Sequence, residues 1–362
     1  MCAWKGFMAV GLMAAVMGLA MAVSRENAPA RIAGKRPEGM NSASLRGRDA
    51  RSPLAFRRLA WKDVAIRTMS EFSSDRVLSL AAGVTFYTLL AVFPAIAALV
   101  SLYGLFLDPA VLQSQLEAAS WVLPTGAIEV MRDQALRIVA HGKSTLGFGF
   151  IFSLCVALWG ANAGTKAMIE ALNVAYGETE RRSFLRLSLI TLGFTLMGIL
   201  FACVAMAGIL AVPVALELLW LDQGTEWFIS LIRWPSLLVV VSCAIMLLYR
   251  LGPCRAHARW RWVMLGSVVS AMLWLAVSAG FSWYVSHFGS YNETYGSLGA
   301  VIGFMTWIWL STAVVLFGAE LNAELEHQTA VDSTTGSPRP MGARGAHMAD
   351  TVGEAKAFRD LL

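Results

Sequence analysis

The sequence predicts an all-α, polytopic membrane protein: a bundle of six core transmembrane helices, with amphipathic helices on its inner and outer sides. Composition is the first observation. Of the 362 residues, 57% are hydrophobic and 15% charged, whereas soluble globular chains carry about a quarter charged residues. The second is that the apolar residues come in uninterrupted blocks, long enough to cross hydrocarbon as helices. They are too long for barrel strands, and in lipid each segment must satisfy its own backbone. The third is the charge of the connecting segments. Lys166 to Arg186 holds four Lys/Arg and Arg250 to Arg261 four arginines, while Glu217 to Glu226 and Gly289 to Ser297 hold acids and no base. The two sets belong on opposite sides, with the arginine loops cytoplasmic. Both ends of the six-helix core then face the cytoplasm.

Residues 1–23 carry one lysine, an apolar run and a small-residue "AMA" ending. They read as a signal peptide, a first anchor, or sequence upstream of a later start such as Met40. Residues 24–55, rich in Arg, Ala, Gly, Ser and Pro, read as a disordered basic cytoplasmic segment. The membrane domain occupies 56–327. It opens with "FRRLAWKDVAIRTMSEF" from Phe56, expected as an amphipathic helix on the inner membrane surface. The six long helices are placed near 78–107, 145–165, 187–213, 227–249, 262–288 and 298–320. The outer segment 108–144 repeats Ile128, Met131, Ala135 and Ile138 at helical spacing, and "LPTG" at Leu123–Gly126 breaks it from an earlier helix. Residues 328–362 turn polar and Gly/Pro-rich, and are expected to form a disordered cytoplasmic tail.

Candidate residues follow from what membrane helices tolerate. On a helical wheel of the first long helix, Val84, Tyr87, Thr88, Ala91, Pro94, Ala95, Ala98 and Ser101 share an arc of roughly 140°. Phe86, Leu89, Leu90, Phe93 and Ile96 lie opposite. Small and hydroxylated residues let backbones approach, whereas bulky apolar ones suit lipid. The arc is an inner face, packing on a neighbour or lining a groove. Pro94 frees the carbonyl of Leu90, which a neighbouring helix or water must satisfy. "GANAG" (Gly160–Gly164) and "GAVIG" (Gly299–Gly303) have the spacing of close helix contacts. Asn162 bonds across helices or lines a cavity. Arg233, between Trp227 and Trp234, either snorkels into outer headgroups or holds an anionic one. Glu320 and Glu324 are read as interfacial. The candidate groove is thus Tyr87, Thr88, Pro94, Ser101, Asn162 and Arg233.

Other chemistry is poorly served. Of the five cysteines, Cys155, Cys203 and Cys243 lie in apolar blocks, and none forms a CxxC pair. No HExxH, GxSxG or phosphate-binding loop occurs. No catalytic residue, metal site or cofactor is expected. Twelve Lys/Arg against six acids between Ser24 and Arg76 fit the positive-inside bias, and no aromatics alternate with them as a nucleic-acid surface requires. Membrane lipids are the expected partners, a homo-oligomer is compatible with the sequence, and nucleic acid is not expected.

"SLAAGVTFYTLLAVFPAIAAL" from Ser79, "ALNVAYGETERRSF" from Ala171, "LLYRLGPCRAHARWRWVMLGSVVSAMLW" from Leu247 and "YGSLGAVIGFMTWIWLSTAVVLFGAELNAEL" from Tyr295 occur in this order. Together they resemble the BrkB/YihY family of bacterial inner-membrane proteins, over roughly residues 60 to 327. The resemblance implies a six-helix plasma-membrane protein of unsettled role. Family members have been tied to serum resistance and to lipopolysaccharide-precursor movement, and the family once carried a ribonuclease BN label. Metal-assisted phosphodiester hydrolysis needs clustered His/Asp ligands, which this sequence does not offer. Transporter- or flippase-like handling of a lipid or amphiphile is therefore the expected function. The alternative is a non-transporting scaffold or envelope-maintenance factor.

Overall fold

The computed structural model describes residues 46–106, 143–218, 223–288 and 297–355. Residues 1–23 and nearly all of the outer segment 108–144 lie outside the described residues. Seven helices carry the fold: α1 (Arg58–Ser74), α2 (Val77–Phe106), α3 (Lys143–Ala175), α4 (Phe184–Leu218), α5 (Gln223–Leu251), α6 (Trp260–Phe288) and α7 (Ser297–His327). A single 3-10 turn, Pro53–Ala55, precedes them, and a one-turn α8 (His347–Asp350) follows. No β-strand occurs among the described residues. The predicted long helices are all present, but α3 and α7 run past their expected inner ends. Ile169, Leu172, Leu321 and Leu325 continue the apolar contacts there and are fully buried.

By length and composition, four helical stretches among the described residues can cross a membrane: Val77–Ala97, Phe184–Phe201, Trp260–Val285 and Val301–His327. Their outer faces carry Phe86, Leu90, Leu189, Leu196, Leu200, Met264 and Trp283, all exposed. An apolar surface of that extent needs lipid or another protein against it.

Neighbours follow the order α4–α3–α2–α7–α6–α5, with α7 also touching α1 and α3. Among these four stretches the most apolar 18 residues of α7 are the most buried, at 44%, and those of α4 the least, at 17%, so α7 is the axis and α4 the most peripheral of the four. Helices in lipid gain little from burying apolar area and are held by close approach instead. At the α6–α7 crossing, a Cβ on Gly266 would stand 2.4 Å from Gly318 O, and one on Gly318 would stand 1.8 Å from Ser270 Oγ. Asn322 locks this contact, accepting from Gly266 N–H (2.9 Å) and donating to Val263 O (3.0 Å). Tyr249 of α5 joins it by hydrogen bonds to Ser270 and Val315 O.

Three expectations are corrected. First, the apolar face of α1 is covered by protein rather than left free for a lipid surface. Ala60, Trp61, Asp63 to Thr68 are all buried, with Trp61 and Val64 in one cluster with Phe56, Trp262, Phe317 and Leu321. Its apolar spacing serves a protein core, and wheels do not separate that case from a lipid surface. Second, the end of the basic segment 24–55 is ordered from Arg46, with Ala50 and Phe56 buried. Third, the supposed tail is folded as far as residue 355. Thr329 Oγ1 donates to Ala50 O (2.7 Å), and Ala330 N–H to Arg48 O (2.8 Å). Ala256 N–H donates to Gly345 O (2.8 Å), and His347 N–H to Glu178 (2.7 Å). Arg344 is buried inside this segment and bonds Ala330 O, Arg339 O and Ala349 O. Its order comes from side chains bonding backbone rather than from an apolar stripe, so hydropathy does not report it.

The glycine contacts give a direct test. Gly318→Ala is expected to destabilise by about 1–3 kcal/mol through overpacking. Gly303→Ala, whose Cβ would meet nothing within 4 Å, should be neutral, as read by thermal unfolding in detergent.

Candidate functional site

The inner face of α2 meets protein over its described length. Ala81, Val84, Thr85 and Ala91 are buried and Thr88 is half-buried. The hydroxyl of Thr88 donates to Val84 O (2.8 Å), so its polarity is spent on its own helix. Against it stands "GANAG": a Cβ on Gly160 would lie 3.0 Å from the Ala91 backbone, and one on Gly164 would lie 3.4 Å from Thr88 Oγ1. Gly160 and Gly164 are therefore the docking surface for α2. In the second glycine motif Gly299 is buried, whereas a Cβ on Gly303 would meet nothing within 4 Å among the described residues.

Tyr87 departs from its expected place. It is 37% exposed beside Phe86, with ring centroids 5.5 Å apart. Thr85 is inside instead, 3% exposed, donating to Ala81 O (2.7 Å). The buried stripe centres on Thr88, about 100° round the helix from Tyr87. Pro94 is half-buried, and α2 continues through it. The side chains of Ser101 and Arg233 lie outside the described residues.

Asn162 is half-buried, and its Oδ1 is buried without a hydrogen-bond partner. Thr165, one turn later, touches Thr195 of α4 hydroxyl to hydroxyl at 2.9 Å. Asn162 lies about 60° round α3 from Thr165, on the flank of the α3–α4 seam. Thr191 and Thr195 form the α4 side of that seam and are buried, while Leu189, Leu192, Leu196 and Leu200 of α4 are exposed.

A second polar region lies where the C-terminal ends of α3 and α7 meet α1. Glu320 and Glu324, expected at an interface with water, are 1% and 2% exposed. Arg67 of α1 is ion-paired and hydrogen-bonded to Glu324. It also donates to Gln328 Oε1 (2.6 Å) and to Glu354 O (3.0 Å). Arg255, from the α5–α6 loop, pairs with Glu326 at 2.7 Å and lies over the Tyr176 ring, 4.5 Å from its centroid. Ser333 completes Glu326 with a 2.7 Å bond. The acids at 320, 324 and 326 on an otherwise apolar helix are a visible signal, but partners more than 70 positions away are not.

The α3–α4 loop adds a charged joint. α3 ends at Gly177, whose positive φ of 63° suits glycine. Beyond it, Glu180 binds Arg182 (2.7 Å) and accepts from Asn173 (3.0 Å), while Asn173 accepts from Cys254 N–H (2.7 Å). Arg182 also donates to Gly252 O (2.8 Å). The Arg182 hydrogen bonds, helped by Asn173, hold the Glu180 carboxyl down at about 2. The joint ties the α3–α4 loop to the α5–α6 loop. Among the described residues, no group of three or more His, Cys, Asp or Glu is arranged to hold a metal ion.

Comparison with known proteins places these features in a family. The family model described as virulence factor BrkB matches residues 68–342. A Bacillus subtilis protein named as ribonuclease-like, YfkH, is 34% identical over 189 residues, 48% of this chain and 64% of that protein. The chain thus spans under two thirds of that relative. The UPF0761 membrane protein IL2447 of Idiomarina loihiensis is 28% identical over 225 residues, 59% of this chain and 74% of its own. A UPF0761 membrane protein of Chromohalobacter salexigens is 29% identical over 277 residues, 73% of this chain and 64% of its own. No solved structure matches the chain.

Two outcomes are expected of the charged region. Arg67→Met strands Glu324 and should cost about 3–5 kcal/mol, with Arg67→Met/Glu324→Met recovering most of the loss, measured by chemical unfolding in micelles. Glu180 is held below its unfolded value, so it contributes stability above that value. Its contribution should vanish as pH falls from about 4.5 towards 2, and Glu180→Gln should remove that part of the pH dependence.

Proposed function

We propose that this chain, which belongs to the virulence factor BrkB family, handles a lipid or other amphiphile along the α3–α4 seam of a six-span bundle in the bacterial plasma membrane. In this reading all of α2 to α7 span the bilayer, and the arginine-rich α3–α4 and α5–α6 loops lie in the cytoplasm with α1 and both ends of the core. The observation that carries the reading is Asn162. A carboxamide oxygen buried in an apolar bundle without a donor costs about 1–3 kcal/mol, and a headgroup hydroxyl or amine passing the seam would satisfy it. The setting supports this. α4 is held substantially by α3 alone among the described residues, and its remaining faces carry exposed leucines that suit acyl chains. A headgroup path of amide and hydroxyl groups needs no titrating residue in mid-membrane, which fits the scarcity of charge there.

A non-transporting scaffold is the second reading. The α2–α3 contact favours it, since Thr88 and Ala91 meet Gly160 and Gly164 rather than a groove. Neither reading calls on enzymatic action on RNA.

Reconstitution decides between the two. Purified protein in vesicles is expected to accelerate exchange of labelled lipids between leaflets. Asn162→Leu should slow that exchange about fivefold, the worth of one hydrogen bond of about 1 kcal/mol, with expression unchanged. Exchange at the protein-free rate across several lipid classes would leave the scaffold reading.

A further inference from the structure

Between Glu226 and Glu293 the sequence holds five arginines and no acid. Four of them, Arg250, Arg255, Arg259 and Arg261, lie where α5 turns into α6, and protein matches only two. Arg255 pairs with Glu326, and Arg259 donates to Thr334 O (2.8 Å). The bridge between Ala258 and Thr334 also brings Asp332 near. Its carboxylate is already taken by the Thr334 hydroxyl and by the N–H of Arg339. Arg250 and Arg261 make no ion pair and no side-chain hydrogen bond among the described residues.

Arg250 is nevertheless held in place. Its guanidinium carbon lies 3.8 Å from the centroid of the Trp260 ring, a cation–π contact across the α5–α6 joint. Its Nε is buried there without an acceptor. The two terminal nitrogens bond nothing either, and they are not enclosed. A planar fork fixed on an aromatic face, with donors open, matches the paired oxygens of a phosphate and loses little freedom on binding it. The residues beside the fork are apolar. Trp260 is 46% exposed, and Met264, one turn along the same face of α6, is 47% exposed. Leu251, the last residue of α5, is exposed as well. Trp260 also opens the stretch of α6 that is long and apolar enough to cross a membrane. That is the level at which headgroups meet acyl chains.

We infer that the α5–α6 joint binds the phosphate of an anionic phospholipid, one whose headgroup carries no cation to compete with the guanidiniums. Arg250 is the fork, Arg261 the second charge, and Trp260 and Met264 lie against the acyl chains. The positive-inside bias accounts for arginines in this loop, but not for one stacked on a tryptophan with its donors open. A lipid phosphate fits where a free one does not, because the free anion makes no use of the apolar residues beside the fork. The site lies on α5 and α6, apart from the α3–α4 seam. Bound lipid is counted without any exchange between leaflets, so the site stands or falls separately from the lipid-handling reading.

Native mass spectrometry of the full chain, released from micelles holding equal phosphatidylglycerol and phosphatidylcholine, tests this. The wild type is expected to retain phosphatidylglycerol in preference. Arg250→Ala should lower that retention about tenfold, as for loss of one hydrogen bond to a charged group. Arg250→Lys keeps the charge without the fork and should recover little of it. Trp260→Leu releases the guanidinium while keeping an apolar side chain, and should also lower retention. Arg58→Ala/Lys62→Ala removes two exposed charges from α1 and should leave retention unchanged. Thermal unfolding gives a second readout that poor folding of a variant would not mimic. Added phosphatidylglycerol should raise the wild-type midpoint and leave that of Arg250→Ala where it was. Equal retention of the two lipids overturns the inference, as does full retention by Arg250→Ala or Arg250→Lys, or an equal loss in the α1 variant. Displacement of the lipid by millimolar inorganic phosphate would also overturn it, by making the site one for the free anion.

Discussion

A guanidinium enclosed by protein at the end of a membrane bundle demands a carboxylate, and the pairing of Arg67 with Glu324 is the constraint from which the rest of the inner end follows. Arg67 belongs to α1, Glu324 to the central helix α7, and the same guanidinium reaches Gln328 and the backbone of Glu354. One side chain therefore joins the first helix of the membrane domain, the axis of the bundle and the segment after it. A buried pair of this kind contributes little net stability beyond what apolar residues would supply, yet it penalises every arrangement that separates its members. Its role is to set position: α1 can dock on α7 in one register.

The molecule is held by different forces at its two levels. Within the membrane-spanning part, contacts run through glycine, alanine and hydroxyl side chains, as where Gly160 and Gly164 admit α2, or Gly266 and Gly318 bring α6 onto α7. Lipid competes for apolar surface there, so close approach and hydrogen bonding decide which helices meet. At the inner end, ion pairs and backbone hydrogen bonds from the folded 328–355 segment take over. That segment grips the α3–α4 loop through Glu178 and the α5–α6 loop through Ala256. The inner ends of α4 and α5, each substantially packed on a single helix, are thus linked through the cap rather than through the membrane.

This division bears on function. Charge is concentrated where α1, α3 and α7 meet the loops, while the described faces of α4 and α5 are apolar with isolated hydroxyls. An amphiphile moving beside α4 would meet polar groups that accept or donate without titrating, and the titratable groups would stay at the inner end. The position of Asn162 follows that separation.

Much of the architecture was legible in the sequence. Block length set the six long helices, and the small-residue spacing of "GANAG" identified a real docking surface. The departures from that pattern are equally specific. Tyr87 and Thr85 exchanged places because lipid and protein interior are both apolar, so a wheel gives the angle between residues but not the origin of the buried stripe. Glu320 and Glu324 read as interfacial because acids near a helix end ordinarily are; the burial of Glu324 is matched by Arg67, 257 positions away in sequence. The cap beyond His327 was invisible to hydropathy because it folds by hydrogen bonds between side chains and backbone. Local apolar pattern, then, determined by itself which segments are long helices. Tertiary structure alone decided which polar groups lose contact with water and which partners they find, because desolvation and pairing belong to neighbours in space, not in sequence.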